Sequence, residues 1–138
     1  MRRKKKIIIA VAIAMALITA ILLVSLFFLG VGVTASKAEL TIDAPFFDTT
    51  INASEIVKIE LYQDTVYGTK INATEFLGVM TGSCRNAEFG MYFSCVHKSN
   101  TTCIAVLKND GFYTVFNLEN EEKTIELYEK LLTLYQLK

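Results

Sequence analysis

His97 is the only histidine in this 138-residue chain, and Cys84, Cys95 and Cys103 are its only cysteines. These four side chains are the natural candidates for nucleophilic or metal chemistry. A Ser-His or Cys-His arrangement would have to use His97, and one histidine cannot supply the two or more that zinc sites usually take. The cysteine spacings of 11 and 8 differ from the close pairs of zinc and redox sites. His97 therefore reads as a surface histidine at a strand end, and no metal and no cofactor is expected. Gly78-x-x-x-Gly82 lacks the following Lys-Ser/Thr of a phosphate-binding loop, and no two carboxylates form a recognisable acid/base pair. The chain does not read as an enzyme.

In an oxidising compartment the thiols gain a second reading. If "MYFSCVH" and "TTCIAVL" form a hairpin around the three-residue loop Lys98 to Asn100, Cys95 lies opposite Cys103. Opposed cysteines in the closer type of antiparallel pair reach disulfide distance. The alternative is three small buried or half-buried side chains. Asn52-Ala53-Ser54, Asn72-Ala73-Thr74 and Asn100-Thr101-Thr102 match the N-glycosylation pattern, which has meaning only where a matching transferase exists.

The stretch "KINATEFLGVMTGSCRNAEF" carries the binding candidates Lys70, Asn72 and Arg85. They would offer two cations and an amide to an anionic group. Read structurally, Asn72 satisfies loop backbone and the cations solvate an acidic domain. Glu75 and Glu88 bring the segment to zero net charge, so strong binding of anionic lipid head groups is not expected.

The elements that must position these residues begin with an anchor. Ile7 to Val33 is a run of 27 residues without a charge, preceded by Arg2-Arg3-Lys4-Lys5-Lys6. About 20 apolar residues suffice to cross a bilayer. Short segments rich in Lys and Arg stay in the cytoplasm, which places residues 1–6 inside, residues 7–33 across the cell membrane and the remainder outside. Val33-Thr34-Ala35 offers a processing site, but the apolar core of a cleavable signal is only about 7 to 15 residues. An uncleaved single-pass signal anchor is expected, followed by a short tether over 34–38 and one domain over 39–138.

Beyond Val33 stand nine basic and 14 acidic residues, a net charge of −5. An acidic surface without a basic patch excludes nucleic acid as an expected partner. Alternation of period two marks strands at "ELTIDA", at "TTINA" after a turn at Pro45, and at "IVKIELY". From Gln63 to Gly82 the alternation weakens, which predicts a long irregular crossing between sheets with one further strand. "MYFSCVHK", "TCIAVLK" and "FYTVFNL" alternate again and predict two consecutive hairpins, the second turning at Asp110-Gly111. Asn120 caps a final helix with Ile125, Tyr128, Leu131, Leu132 and Tyr135 on one face. The expected fold class is mainly β with a C-terminal α-helix, preceded by one transmembrane helix.

Thr69-Lys70-Ile71-Asn72 and Thr81-Gly82-Ser83-Cys84-Arg85-Asn86-Ala87-Glu88-Phe89 resemble the Thr-Lys-x-Asn-Gly and Gly-x-x-Arg/Lys-x-Gly-x-Phe pattern of bacterial pleckstrin-homology-like (PH-like) domains. "LKNDGFYTVFNLENEEKTIELYEKL" is similar to that family's last hairpin and helix. The resemblance covers about Glu39 to Leu132. Ala73 and Ala87 stand where the family often has glycine. The resemblance implies two near-orthogonal sheets with a helix at one open end, frequent association with membrane segments, and no settled activity. A membrane-anchored, non-catalytic module that binds a protein or peptide is the expected function. The alternative is a small-ligand or lipid sensor that uses the interior of the sandwich.

Overall fold

In a computed structural model the chain is described over residues 2–27 and 30–137. Helix α1, Arg2–Phe27, is about 39 Å long by its 26 residues. Its large apolar side chains from Ile7 to Val24 are more than half exposed. From Ile7 onward the helix is apolar on every side. It is long and apolar enough to cross a membrane once.

The remainder is a two-sheet β structure closed by a helix. Strands β1 (Gly32–Ala35), β2 (Glu39–Ala44) and β3 (Phe47–Asn52) form an antiparallel three-stranded sheet. The expected boundary between anchor and tether at 33 and 34 falls inside strand β1, Gly32–Ala35, while residues 28 and 29 of the expected anchor lie outside the described residues. Val33 and Ala35 are apolar for packing against the core, not for meeting lipid. Pro45 and Phe46 make the two-residue turn between β2 and β3, with Ala44 opposite Phe47.

Strands β4 (Ile56–Tyr62), β5 (Thr69–Phe76), β6 (Val79–Asn86), β7 (Gly90–His97), β8 (Cys103–Lys108) and β9 (Tyr113–Phe116) form a six-stranded sheet in the order β4-β8-β9-β7-β6-β5. The predicted long crossing is in fact short, Gln63 to Gly68. It leads into a hairpin of two eight-residue strands, β5 and β6, turning on Leu77 and Gly78. A bulge between Lys70 and Asn72 and a glycine at position 82 interrupt the alternation. The paired geometry survives both.

The edges β4 and β5 are joined by that six-residue loop. In a flat six-stranded sheet they would stand about 24 Å apart, near the full reach of the connection. The loop is instead bound down. Thr65 N–H donates to Thr101 O at 3.0 Å, and Asn86 Nδ2 donates to Val66 O at 2.9 Å. The sheet must therefore curl, and it does so around a cluster that includes Met80, Cys84, Phe89, Tyr92, Val96 and Cys103.

Its other face meets the three-stranded sheet. Leu40, Ile42 and Ile51 pack there with Ile59, Cys95, Ile104 and Phe116, all at most 4 % exposed. Helix α2, Glu121–Leu134, covers β4 and β8 and sends Leu131 into this layer. Asn120 caps it as expected, accepting from Lys123 N–H at 2.9 Å.

The two consecutive hairpins are not both formed. β8 and β9 pair through the Asp110-Gly111 turn, but β7 and β8 lie on opposite sides of β9, which runs parallel to β7. Asn117, fully buried at the end of β9, explains the insertion. Its Oδ1 accepts from His97 N–H at 2.7 Å, and its Nδ2 lies within 3.2 Å of the carbonyls of His97, Asn100 and Thr102. It thereby satisfies the loop backbone that a direct β7–β8 turn would have satisfied.

Candidate functional site

The chemistry-bearing residues are distributed, and their surroundings decide what they can do. Cys95 and Cys103 do not lie opposite each other, so the possible disulfide is not formed and the reading of three small buried side chains holds. Cys95 lies opposite Phe116, which lies opposite Ile104, so Cys103 sits two strands away and points to the other face. Two strand spacings exceed about 9 Å, beyond disulfide reach. Cys95 belongs to the layer between the sheets and Cys103 to the cluster inside the curl, and all three thiols are free and buried. Burial, assisted by the charge of Asp48, pushes the Cys95 thiol up to about 12. Burial also raises Cys84 and Cys103. Protonated thiols are poor nucleophiles and poor metal ligands.

His97 ends β7 as expected, but it is part-buried rather than a surface residue, and it has a specific contact. Its Nε2 accepts from Val31 N–H at 3.5 Å. Burial holds the imidazole below its ordinary range, partly offset by Glu119. The neutral ring at pH 7 is the form that can accept. His97 thus ties the segment leading from α1 to the end of β7.

Lys70, Asn72 and Arg85 all lie on the β5–β6 hairpin, yet they do not converge. Lys70 Nζ is 3.3 Å from Glu75 Oε2, and Lys98 Nζ shares that oxygen at 3.4 Å. The hydrogen bond from Lys70, then that from Lys98, holds the Glu75 carboxyl below the usual range. Asn72 lines a groove of about 320 Å³ with Phe46, Phe47, Thr74, Gly82 and Phe93. Arg85 lies opposite Thr69 and lines a separate cleft of about 420 Å³ between the 63–68 loop and the β6–β7 turn, beside Tyr62, Asp64 and Glu88. A single site for one anionic group is not assembled from these three.

Asn100, one of the three glycosylation-pattern residues, is buried. Its Nδ2 donates to Leu118 O at 3.0 Å and to Thr124 Oγ1 at 3.2 Å, so the amide is committed to the fold. Tyr67 O–H donates to Asn100 O at 2.6 Å in the same network.

Two features are not apparent from the sequence. The first is β5 itself, which among the described residues pairs only with β6 and has six of its eight residues exposed. The second is a group of large apolar residues at turns: Phe46 is 79 % exposed, Leu77 60 % and Phe47 50 %. The available signal was an apolar residue where a turn ordinarily takes Gly, Asn or Asp. No described protein family, curated protein or solved structure matches this chain.

Proposed function

We propose that this chain is a single-pass membrane protein with its basic head, residues 2–6, in the cytoplasm, and that its outer β domain is a non-catalytic module holding a protein or peptide partner. The resemblance to bacterial PH-like domains is part of this proposal. The orientation rests on Arg2 to Lys6 before the apolar helix and on the acidic balance after it.

The free edge of β5 carries the interaction reading. An extended peptide adding to a sheet edge gains main-chain hydrogen bonds on one side and side-chain grooves on the faces. β5 offers both, since its outer edge is unpaired among the described residues and the groove at Asn72 and Phe93 lies beside it. Lys70 is already bound to Glu75, and Arg85 is accompanied by Glu88, so anionic head groups and nucleic acid are poorly served. The layer between the sheets is filled by Leu40, Ile42, Ile51, Ile104 and Phe116, which leaves the sensor reading without its interior pocket.

A photoreactive residue placed at Thr74, on the exposed part of β5, tests the reading in the membrane of the producing cell. The expected result is a defined adduct absent when the same group stands at Glu126 on α2. Equal or absent adducts at both positions would contradict it.

A further inference from the structure

The strand registers fix which end of the domain faces the anchor. Gly32, the first residue of β1, lies opposite Asp43, so the Pro45-Phe46 turn projects past the point where the chain enters the sheet. His97 accepts from Val31 N–H and lies opposite Val79, while Lys98 N–H donates to Gly78 O at 2.9 Å. The Leu77-Gly78 turn therefore sits at the same end. The two tips touch, with Phe46 and Phe76 ring centroids 5.3 Å apart in an edge-to-face arrangement.

Both tips hold bulky apolar residues in the left-handed backbone region, Phe46 at φ 65° and Leu77 at φ 48°. Glycine, asparagine or aspartate adopts that conformation at less cost. The side chains are nevertheless thrust outward, Phe46 at 79 % and Leu77 at 60 % exposure. Only four residues separate the end of α1 at Phe27 from Gly32. At 3.8 Å per residue the entry point of the domain lies within about 19 Å of the helix end. Ile7 to Phe27 spans about 31 Å as helix, the thickness of a hydrocarbon core, which puts Phe27 at its boundary.

We infer that Phe46 and Leu77, with Phe76 behind them, form a second membrane contact: the two hairpin tips dip into the interface of the bilayer that α1 crosses and hold the domain in a fixed orientation on it. This rests on the proposed anchor. The occupant is lipid rather than another protein because the patch is continuous with the span, at the end from which the chain emerges. Phe and Leu are among the side chains that interfacial segments bury at the boundary of headgroups and acyl chains. Asp43 and Asp48, opposite each other just behind the Phe46 tip, limit penetration and make a zwitterionic surface the better partner. The free edge of β5 then runs outward from the membrane, since Phe76 is at the tip and Thr69 at the far end.

The chain contains no tryptophan, so single substitutions report cleanly. Full-length Phe46→Trp, Leu77→Trp and Phe112→Trp variants, the last at the exposed β8–β9 turn of the opposite end, are reconstituted in phosphatidylcholine vesicles with and without lipid brominated high in the acyl chains. The expected result is blue-shifted emission and severalfold stronger quenching for Trp at 46 and 77 than at 112, with weaker quenching when phosphatidylglycerol is added. Tip residues unquenched by brominated lipid, in protein that stays with the vesicles through an alkaline wash, would overturn the inference and leave the anchor standing. The same holds if they are shielded from acrylamide yet unquenched by lipid, because a protein then covers them. Protein released by the wash would overturn the anchor and this inference together.

Discussion

Gly82 decides whether β5 can lie beside β6. Its φ is +127°, and a Cβ built on it would stand 2.4 Å from Asn72 O and 2.7 Å from Ala73 Cα. Both are backbone atoms of the partner strand and cannot swing aside. Gly90 supplies the comparison, because its φ is +67° but a Cβ there meets nothing within 4 Å. Gly82→Ala should therefore cost about 2 kcal/mol or more, by strain and displacement of β5. Gly90→Ala should cost only about 1 kcal/mol. Urea midpoints of the full chain in detergent distinguish the two, and equal midpoints would mean that β5 does not approach Gly82 this closely. The same residue shows why the hairpin is hard to read in sequence. A glycine that permits close approach also removes a side chain from the alternation, so "KINATEFLGVMTGS" loses its period of two where the pairing is tightest.

At the scale of elements, β2, β3, β4 and α2 were legible because the spacing of apolar residues records a buried face, and β7, β8 and β9, buried on both faces, because short apolar runs are bounded by turn signals. The β5–β6 turn was not, because Leu77 occupies a position where Asn or Asp announces a hairpin. The partner of β7 was not legible either. A parallel pair between β7 and β9 depends on Asn117 reaching the carbonyls of residues 97, 100 and 102, a contact that no local pattern encodes. Of the candidate site, the positions of Lys70, Asn72 and Arg85 on one hairpin could be read, whereas their divergence into an ion pair, a groove and a cleft could not. Helix α2 makes a firm prediction. Leu131 is 1 % exposed and joins the layer between the sheets, with Tyr128, Leu132 and Tyr135 half-buried around it. Leu131→Ala should lose about 2 to 5 kcal/mol in chemical denaturation. A loss near zero would mean that α2 does not close the core.

At the scale of the molecule, a helix that is apolar beyond Lys6 joins an acidic β domain through four residues, and the points of attachment lie at one end. Val31 is buried in the core, His97 holds its N–H, and the Phe46 and Leu77 tips flank the entry. The β6–β7 and β8–β9 turns lie at the opposite end. The proposal places the β domain outside the cytoplasm, and the buried state of Cys84, Cys95 and Cys103 makes that directly measurable. An Asp110→Cys variant carries one exposed thiol on the outer domain, and Lys4→Cys carries one on the basic head. With a membrane-impermeant maleimide on intact cells, position 110 should label fully and position 4 only after permeabilisation. Labelling of position 110 only after lysis, with position 4 open from outside, would contradict the account.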